Sequence, residues 1–244
     1  IQFFRYLFSL TKKYDVKIFF YTEEKLKFLF ENSPFEIITN LENISAVHYY
    51  QHLLSLPGIL YRNNKEIQER ISFIEIDKKN NEKWKNKLKH FKKPIIALNW
   101  QGNKDYLFDD KRSIKLSNFE NIIKINRYDF ISLQKNYGHE QIKKNNFSKY
   151  ITDLSKEIDN GQNAFEDTIS ILTNIEMLVT SDTAIAHLAG TLNVNTYLLL
   201  SYNPDWRWFI ELKHKCFYPS IKIIQQDKMD DWESALEKLE VELR

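Results

Sequence analysis

Val179-Thr180-Ser181-Asp182-Thr183-Ala184-Ile185-Ala186-His187-Leu188-Ala189-Gly190 decides the fold. An apolar run closes at Thr180. A run of small residues opens at Thr183 and stops near Gly190. Strand, tight turn and helix in succession form the repeating unit of a parallel sheet covered by helices. Ser181 or Asp182 is placed to cap the helix. The backbone N–H groups of Thr183, Ala184 and Ile185 would then form an anion site, aided by the helix dipole. Asp182 repels a phosphate in direct contact, so it suits a cap or an acceptor for sugar hydroxyls. His187, one turn further on, is within reach of the same ligand. Periodicity alone fits an ordinary capped helix with a packed histidine equally well.

The same rhythm extends both ways. Downstream, Asn195 to Leu200 reads as a strand, and Trp232, Leu236, Leu239 and Leu243 repeat at helix spacing. Upstream, Pro94 to Trp100, Tyr128 to Gln134 and Glu176 to Thr180 read as strands. Asn80 to Phe91, Leu116 to Ile125 and Phe165 to Leu172 read as helices. The first 75 residues begin with an amphipathic helix over 1–13. Strands are predicted at Val16 to Tyr21, Phe35 to Ile38 and Ala46 to Tyr50, with a helix at Glu23 to Phe30. Ile1 is not a methionine, and Ile1-Gln2-Phe3-Phe4-Arg5-Tyr6-Leu7 reads as the middle of a helix, so a preceding segment is expected.

Composition narrows the function. The chain has 244 residues, 43% of them hydrophobic, with a formal net charge of +2. That is enough to bury a large core and too balanced to argue for a nucleic-acid partner. The lone Cys216 excludes an internal disulfide and a cysteine-based zinc site. No apolar run reaches membrane-helix length and no leader is visible, so the cytoplasm is the expected location. Only five glycines are present. With many Lys, Asn and Ile, that suggests an AT-rich genome.

In open α/β sheets ligands bind beyond the carboxyl ends of the strands. Four further segments sit there. Leu98-Asn99-Trp100-Gln101-Gly102-Asn103 leads to Lys111-Arg112-Ser113, whose adjacent cations are able to neutralise a diphosphate. Ser132-Leu133-Gln134-Lys135 offers contacts to a nucleotide. Phe165-Glu166-Asp167-Thr168 starts a helix, where acidic residues favour the dipole. Tyr202-Asn203-Pro204-Asp205-Trp206-Arg207-Trp208 offers an aromatic wall for a sugar or base, or an interface. Dinucleotide, P-loop and nucleophile-elbow signatures are absent. His48 and His52 are four apart, but on a segment read as strand and loop. That makes a weak metal pair.

Together, and in this order, these segments, with Ile1-Gln2-Phe3-Phe4-Arg5-Tyr6 and Leu54-Ser55-Leu56-Pro57, resemble glycosyltransferase family 9, the ADP-heptose:lipopolysaccharide heptosyltransferase-like group. The similarity is greatest to the bacterial branch in which this domain follows tetratricopeptide repeats. The resemblance implies an α/β chain of GT-B architecture: two Rossmann-like domains facing across a cleft. Residues 1–90 would form an acceptor-side domain lacking its first strand, and residues 91–225 the donor domain. Residues 226–244 would be a helix crossing back to the first domain. It further implies inverting transfer from a nucleotide-diphosphate sugar to a glycan or protein, with no metal or other cofactor. Donor-binding residues would be Asn99, Lys111, Arg112, Ser132, Gln134, Lys135, Asp182, Thr183, Ala184 and His187. The family's base, an Asp in a glycine-rich loop, is expected upstream of Ile1. Within the chain His52 is the one weak substitute. The alternatives are a nucleotide-sugar-binding module without transfer, or a scaffold for upstream repeats.

Overall fold

The computed structural model describes residues 1–44, 46–60, 72–208 and 217–244. Cys216 and His214 lie outside the described residues. After a 3-10 turn at Gln2–Phe4, α1 spans Arg5–Lys13, followed by β1 (Phe19–Tyr21), β2 (Glu36–Ile38), α2 (Leu56–Leu60) and α3 (Lys78–Leu88). The longer second part runs β3 (Ile95–Asn99), α4 (Asp109–Arg112), α5 (Glu120–Ile123), β4 (Asp129–Ser132), β5 (Ile151–Asp153), α6 (Glu166–Leu172), β6 (Met177–Ser181), α7 (Ala184–Thr191), β7 (Thr196–Leu200), β8 (Ile221–Gln225) and α8 (Trp232–Leu243).

Six parallel strands lie in the order β5-β4-β3-β6-β7-β8. The chain winds outward from β3 through β4 to β5. It then returns to the other side of β3 and winds through β6 and β7 to β8. This is the doubly wound Rossmann order, and the reversal between β3 and β6 is its switch point. Asn99 and Thr180 stand side by side there. The class expected from the sequence, α/β with parallel sheets, is the class observed.

Alternation along the central strands feeds two cores. Ile95 and Ala97 join one cluster with residues of α1, α3, α6 and α7, while Ile96 and Leu98 join a second with α5 and α8. All five residues of β3 are buried, as a parallel strand covered on both faces requires.

The first part of the chain is smaller. β1 and β2 pair in parallel as a two-stranded sheet. What holds this part is aromatic packing: Phe4, fully buried, is ringed by Phe8, Phe20, Phe30, Phe35 and Phe73 at centroid distances from 4.5 to 6.0 Å. That cluster is continuous with the core beneath β3, β6 and β7.

Several expectations need correction. Residues 46–50 form no strand, and Tyr49 and Tyr50 are 93% and 75% exposed. With no neighbouring strand to pair, the aromatic alternation has no sheet to join. The Glu23 to Phe30 segment is a 3-10 helix at Glu24–Leu29, and Leu116 to Ile125 splits into a 3-10 turn and α5. β5 and β8 were not anticipated. The last helix does not show the expected crossing. Ala235, Leu236, Leu239 and Leu243 are buried with Ile96, Leu98, Val179 and Leu199 on the second face of the six-stranded sheet. A short link from β8 brings its apolar stripe onto the nearest uncovered face.

The start of α6 is built as a clasp. Phe165 precedes the helix in the left-handed region, φ 70°. The Asp159 carboxylate accepts the amides of Asp167 and Thr168 at 2.8 and 3.2 Å and the Thr168 hydroxyl. In return the Asp167 carboxylate accepts the Asp159 amide at 2.8 Å, the Trp84 indole N–H and Lys83. The Phe165-Glu166-Asp167-Thr168 segment is therefore structural.

Burial pushes the Asp167 carboxyl up, but the Trp84 N–H, the Asp159 amide and Lys83 outweigh it and hold its pKa below the usual range. A carboxyl depressed in the folded state stabilises above its unfolded pKa, about 3.9. That contribution is lost as pH falls through the folded value. Asp167→Asn is expected to lower stability at neutral pH, with the gap to the parent narrowing only in strong acid. Urea midpoints measured from pH 7 to pH 2 check this; a gap independent of pH contradicts it.

Candidate functional site

At the switch point four of the singled-out residues turn out to hold one another. The Asn99 amide donates to Gln134 Oε1 at 3.0 Å, and its Oδ1 accepts the hydroxyls of Thr183 at 2.9 Å and Thr180 at 3.3 Å. Gln134 Oε1 also accepts the amides of Trp100 and Gln101 at 2.9 and 3.0 Å. Its Nε2 donates to the carbonyls of Gln101 and Tyr137 at 2.9 and 2.6 Å. Ser132 is fully buried and its Oγ accepts the Gln134 amide at 3.1 Å. Asn99, Ser132 and Gln134 therefore form the floor that joins β3, β4 and β6. Their polar groups are engaged by protein.

Lys135 is also committed elsewhere. Its Nζ donates to the carbonyls of Ile158 and Asp159 and to Asn160 Oδ1. It fastens the loop that carries Asp159.

Above that floor the helix α7 begins at Ala184. Its cap residue is Thr183, in extended backbone, and no side chain caps it. The Thr183 hydroxyl is spent on Asn99, and neither Ser181 nor Asp182 takes the expected capping role. No side chain caps the first-turn N–H groups, and Ala184 beside them is exposed. Such a terminus has partial positive charge and suits an anion.

Asp182 sits at this terminus, 9% exposed. Burial pushes its carboxyl pKa up; the Trp208 indole N–H, Arg112 and Arg207 pull it back, and Asp205 raises it. The buried Trp208 indole N–H closes no hydrogen bond among the described residues.

The cations divide. Arg112 lies near enough to Asp182 to lower its carboxyl pKa. Its Nε is held by the buried carboxylate of Asp109 at 3.0 Å and its guanidinium lies over the Tyr106 ring at 4.4 Å. Asp109 also holds the Ser113 hydroxyl, which accepts the Gly102 amide. A side chain at Gly102 would meet the Arg112 guanidinium at 2.5 Å, so this glycine leaves room for it. Lys111 instead reaches sideways: its Nζ lies 3.2 Å from each oxygen of Asp230.

His187 is packed, not poised. Its ring stacks flat on Trp208, at 4.7 Å and 3°, and Nδ1 meets the Tyr218 hydroxyl at 3.3 Å. Burial, with the nearby charges of the Ile1 ammonium, Arg207 and Arg5, depresses its pKa to about 3, so it is neutral at physiological pH and supplies no charge to an anion. His52 is exposed and its ring meets the Tyr50 hydroxyl. Among the described residues no carboxylate orients it as it would orient a general base. Among the described residues no three His, Cys, Asp or Glu side chains gather as metal ligands, and no helix is long and apolar enough to cross a membrane.

Asp109, Asp205, Arg207 and Asp230 entered the site without being singled out as ligands. Proximity in sequence to Arg112 and Trp208 was the available signal for the first three. Asp230 had none.

Fold and site together are those of a doubly wound α/β protein with an uncapped helix terminus at its switch point. The structure is similar to that of Escherichia coli ADP-heptose lps heptosyltransferase II, with a TM-score of 0.48 and 12% identity over 70% of this chain and 53% of that one. It is also similar to a glycosyl transferase family 9 protein from Veillonella parvula DSM 2008, with a TM-score of 0.48 and 10% identity over 84% of this chain and 56% of that one. The chain thus spans about half the length of each. No family model matches the sequence, and no curated protein matches it.

Proposed function

We propose that this chain is part of a GT-B glycosyltransferase that binds a nucleotide-diphosphate sugar, ADP-heptose-like, at the start of α7. Transfer to a glycan or protein hydroxyl would be inverting and metal-independent. In this reading residues 91–225 hold the donor and residues 1–90 lie on the acceptor side. One observation carries it: an uncapped helix terminus beside the Asp182 carboxylate and Arg112, at the switch point of the sheet. The N–H groups and Arg112 would take the diphosphate, whose charge grows as it leaves. Asp182 would accept a sugar hydroxyl. The ordering of the site by Asn99 and Gln134 supports a preformed donor seat.

Calorimetric titration with ADP, UDP, GDP and CDP, then with the matching sugar nucleotides, tests this. Selective binding of one diphosphate, with the added affinity of its sugar lost in Asp182→Ala, is the expected result. No binding to folded protein overturns it. A second reading, a binding module without transfer, is favoured by the exposed, unsupported position of His52. Donor binding without product formation in the full gene product selects it.

The Lys111–Asp230 pair gives a smaller prediction. Exposed pairs contribute about 0–1 kcal/mol. Releasing Lys111 by Asp230→Asn is expected to tighten diphosphate binding by up to about fivefold. Weaker binding in that variant would show that Asp230 assists the ligand rather than competing with it.

A further inference from the structure

We propose that the lysine face of α3, with the turn that follows it, is a docking surface for a membrane rich in anionic phospholipid. Of the chain's 35 basic and 33 acidic residues, residues 77–93 hold eight and two. The eight are all lysines, and the two acids are Asp77 and Glu82. The remainder is left with 27 basic and 31 acidic residues. The near balance of the whole chain therefore conceals one strongly positive segment on an acidic body.

Packing sorts these lysines into two groups. Asp77 caps α3, its carboxylate accepting the Asn80 amide at 2.6 Å. The Asn80 side chain donates to the Glu166 carbonyl and the Ser170 hydroxyl of α6, and Asn81 accepts from Thr173 and Asn174 just beyond that helix. Trp84 and Leu88, 0% and 5% exposed, complete the inward side. These contacts fix the rotation of α3 about its own axis. Lys83 and Lys87 lie over the Trp84 ring and pair with Asp167 and Glu157. Lys78, Lys79, Lys85 and Lys89 are exposed, and so is Lys92 in the turn. Lys78, Lys85 and Lys89 recur at spacings that form one stripe along a helix. Glu82 lies in the stripe, 4.0 Å from Lys85, and Lys89 donates to the Asn86 side chain. Among the described residues Lys78, Lys79, Lys89 and Lys92 close no ion pair. Asp129 accepts the amides of Lys92 and Lys93 at 3.1 and 3.0 Å, which fixes the turn.

The chemistry of this face selects its partner. It holds ammonium groups and no arginine, so it attracts negative charge without the planar fork that grips a single phosphate. The stripe presents no Phe, Tyr or Trp on which bases could stack. An anionic bilayer needs only a row of flexible cations near a diffuse negative surface. With no apolar residue in the stripe, the contact is electrostatic and stays outside the hydrocarbon. The acidic remainder is repelled, so this face is the one that turns to the membrane.

Co-sedimentation of the chain with vesicles tests the proposal. Binding is expected to phosphatidylcholine vesicles carrying about a third phosphatidylserine, at about 0.1 M salt. It should be lost at about 1 M salt and absent on phosphatidylcholine alone. Lys78→Gln, Lys85→Gln and Lys89→Gln together are expected to weaken binding about a hundredfold, roughly fivefold per lysine. Glutamine keeps the helix propensity of lysine, so α3 should persist. Should that variant not fold, Lys79→Gln with Lys92→Gln, at the ends of the segment, is expected to lose about 25-fold. Lys143→Gln, Lys144→Gln and Lys156→Gln remove the same charge from exposed positions elsewhere. That variant should lose less than about threefold. No binding to the anionic vesicles, binding indifferent to salt, or equal losses in both triple variants overturns the proposal. Tighter binding to single-stranded polyuridylate than to the vesicles, lost in the α3 variant, also overturns it, because the partner would then be a nucleic acid.

Discussion

On the proposed glycosyltransferase reading, Arg112→Ala is expected to lower the rate of sugar transfer by about 100- to 1000-fold, the loss typical when one preorganised donor to a developing anion is removed. In the proposed reaction the departing nucleoside diphosphate would gain negative charge in the transition state. Arg112, with Arg207, lies near enough to Asp182 to lower its carboxyl pKa, and Arg112 is held from behind. Asp109 takes Nε at 3.0 Å and Tyr106 takes the face of the guanidinium. Lys111 cannot replace it without leaving Asp230. Arg112→Lys should rescue little, because the ammonium cannot grip Asp109 and reach forward together. Measured with the full gene product, kcat should fall far more than donor KM rises. A loss confined to KM would mean that Arg112 binds substrate and transition state alike.

Phe4→Ala is expected to cost about 3–5 kcal/mol, as for other fully buried aromatic truncations. Five rings lose their common neighbour at once, and the β1–β2 pair has few main-chain bonds to compensate. At roughly 2–4 °C per kcal/mol for a chain of this size, the melting midpoint should drop by about 6–20 °C. Phe4→Leu, which keeps most of the volume, should cost less than half as much. Urea unfolding followed by tryptophan fluorescence gives both values. A loss below 1 kcal/mol for the alanine variant would show that the aromatic cluster does not unfold with the rest.

The sheet was legible where strands are continuous apolar runs. Ile95–Asn99, Met177–Ser181 and Thr196–Leu200 are buried on both faces and read as such in one dimension. Short edge elements were not: Ile151–Asp153 has three residues, and Ile221–Gln225 exposes Lys222 in its middle. Ala46 to Tyr50 has strand composition but no partner, and pairing is a property of neighbours. The site was legible as a place and less so as a set of roles. Sequence position put Gln134 and Lys135 beyond β4, where ligands bind. It could not say that both turn back to bind the loops that carry them. His187 was equally open to a ligand or a packed reading until Trp208 was seen against its face. Asp230, 119 residues from Lys111, lay beyond any local signal.

The shared core of the two parts has a mechanical consequence. Two bodies can rock about a hinge only where a seam of separable contacts runs between them. Here Phe4, Phe30 and Phe73 belong to the same buried cluster as Leu178, Leu188 and Leu198. Rocking would open that apolar continuity to water. The two parts would work as one fixed bench, not as a pair of jaws.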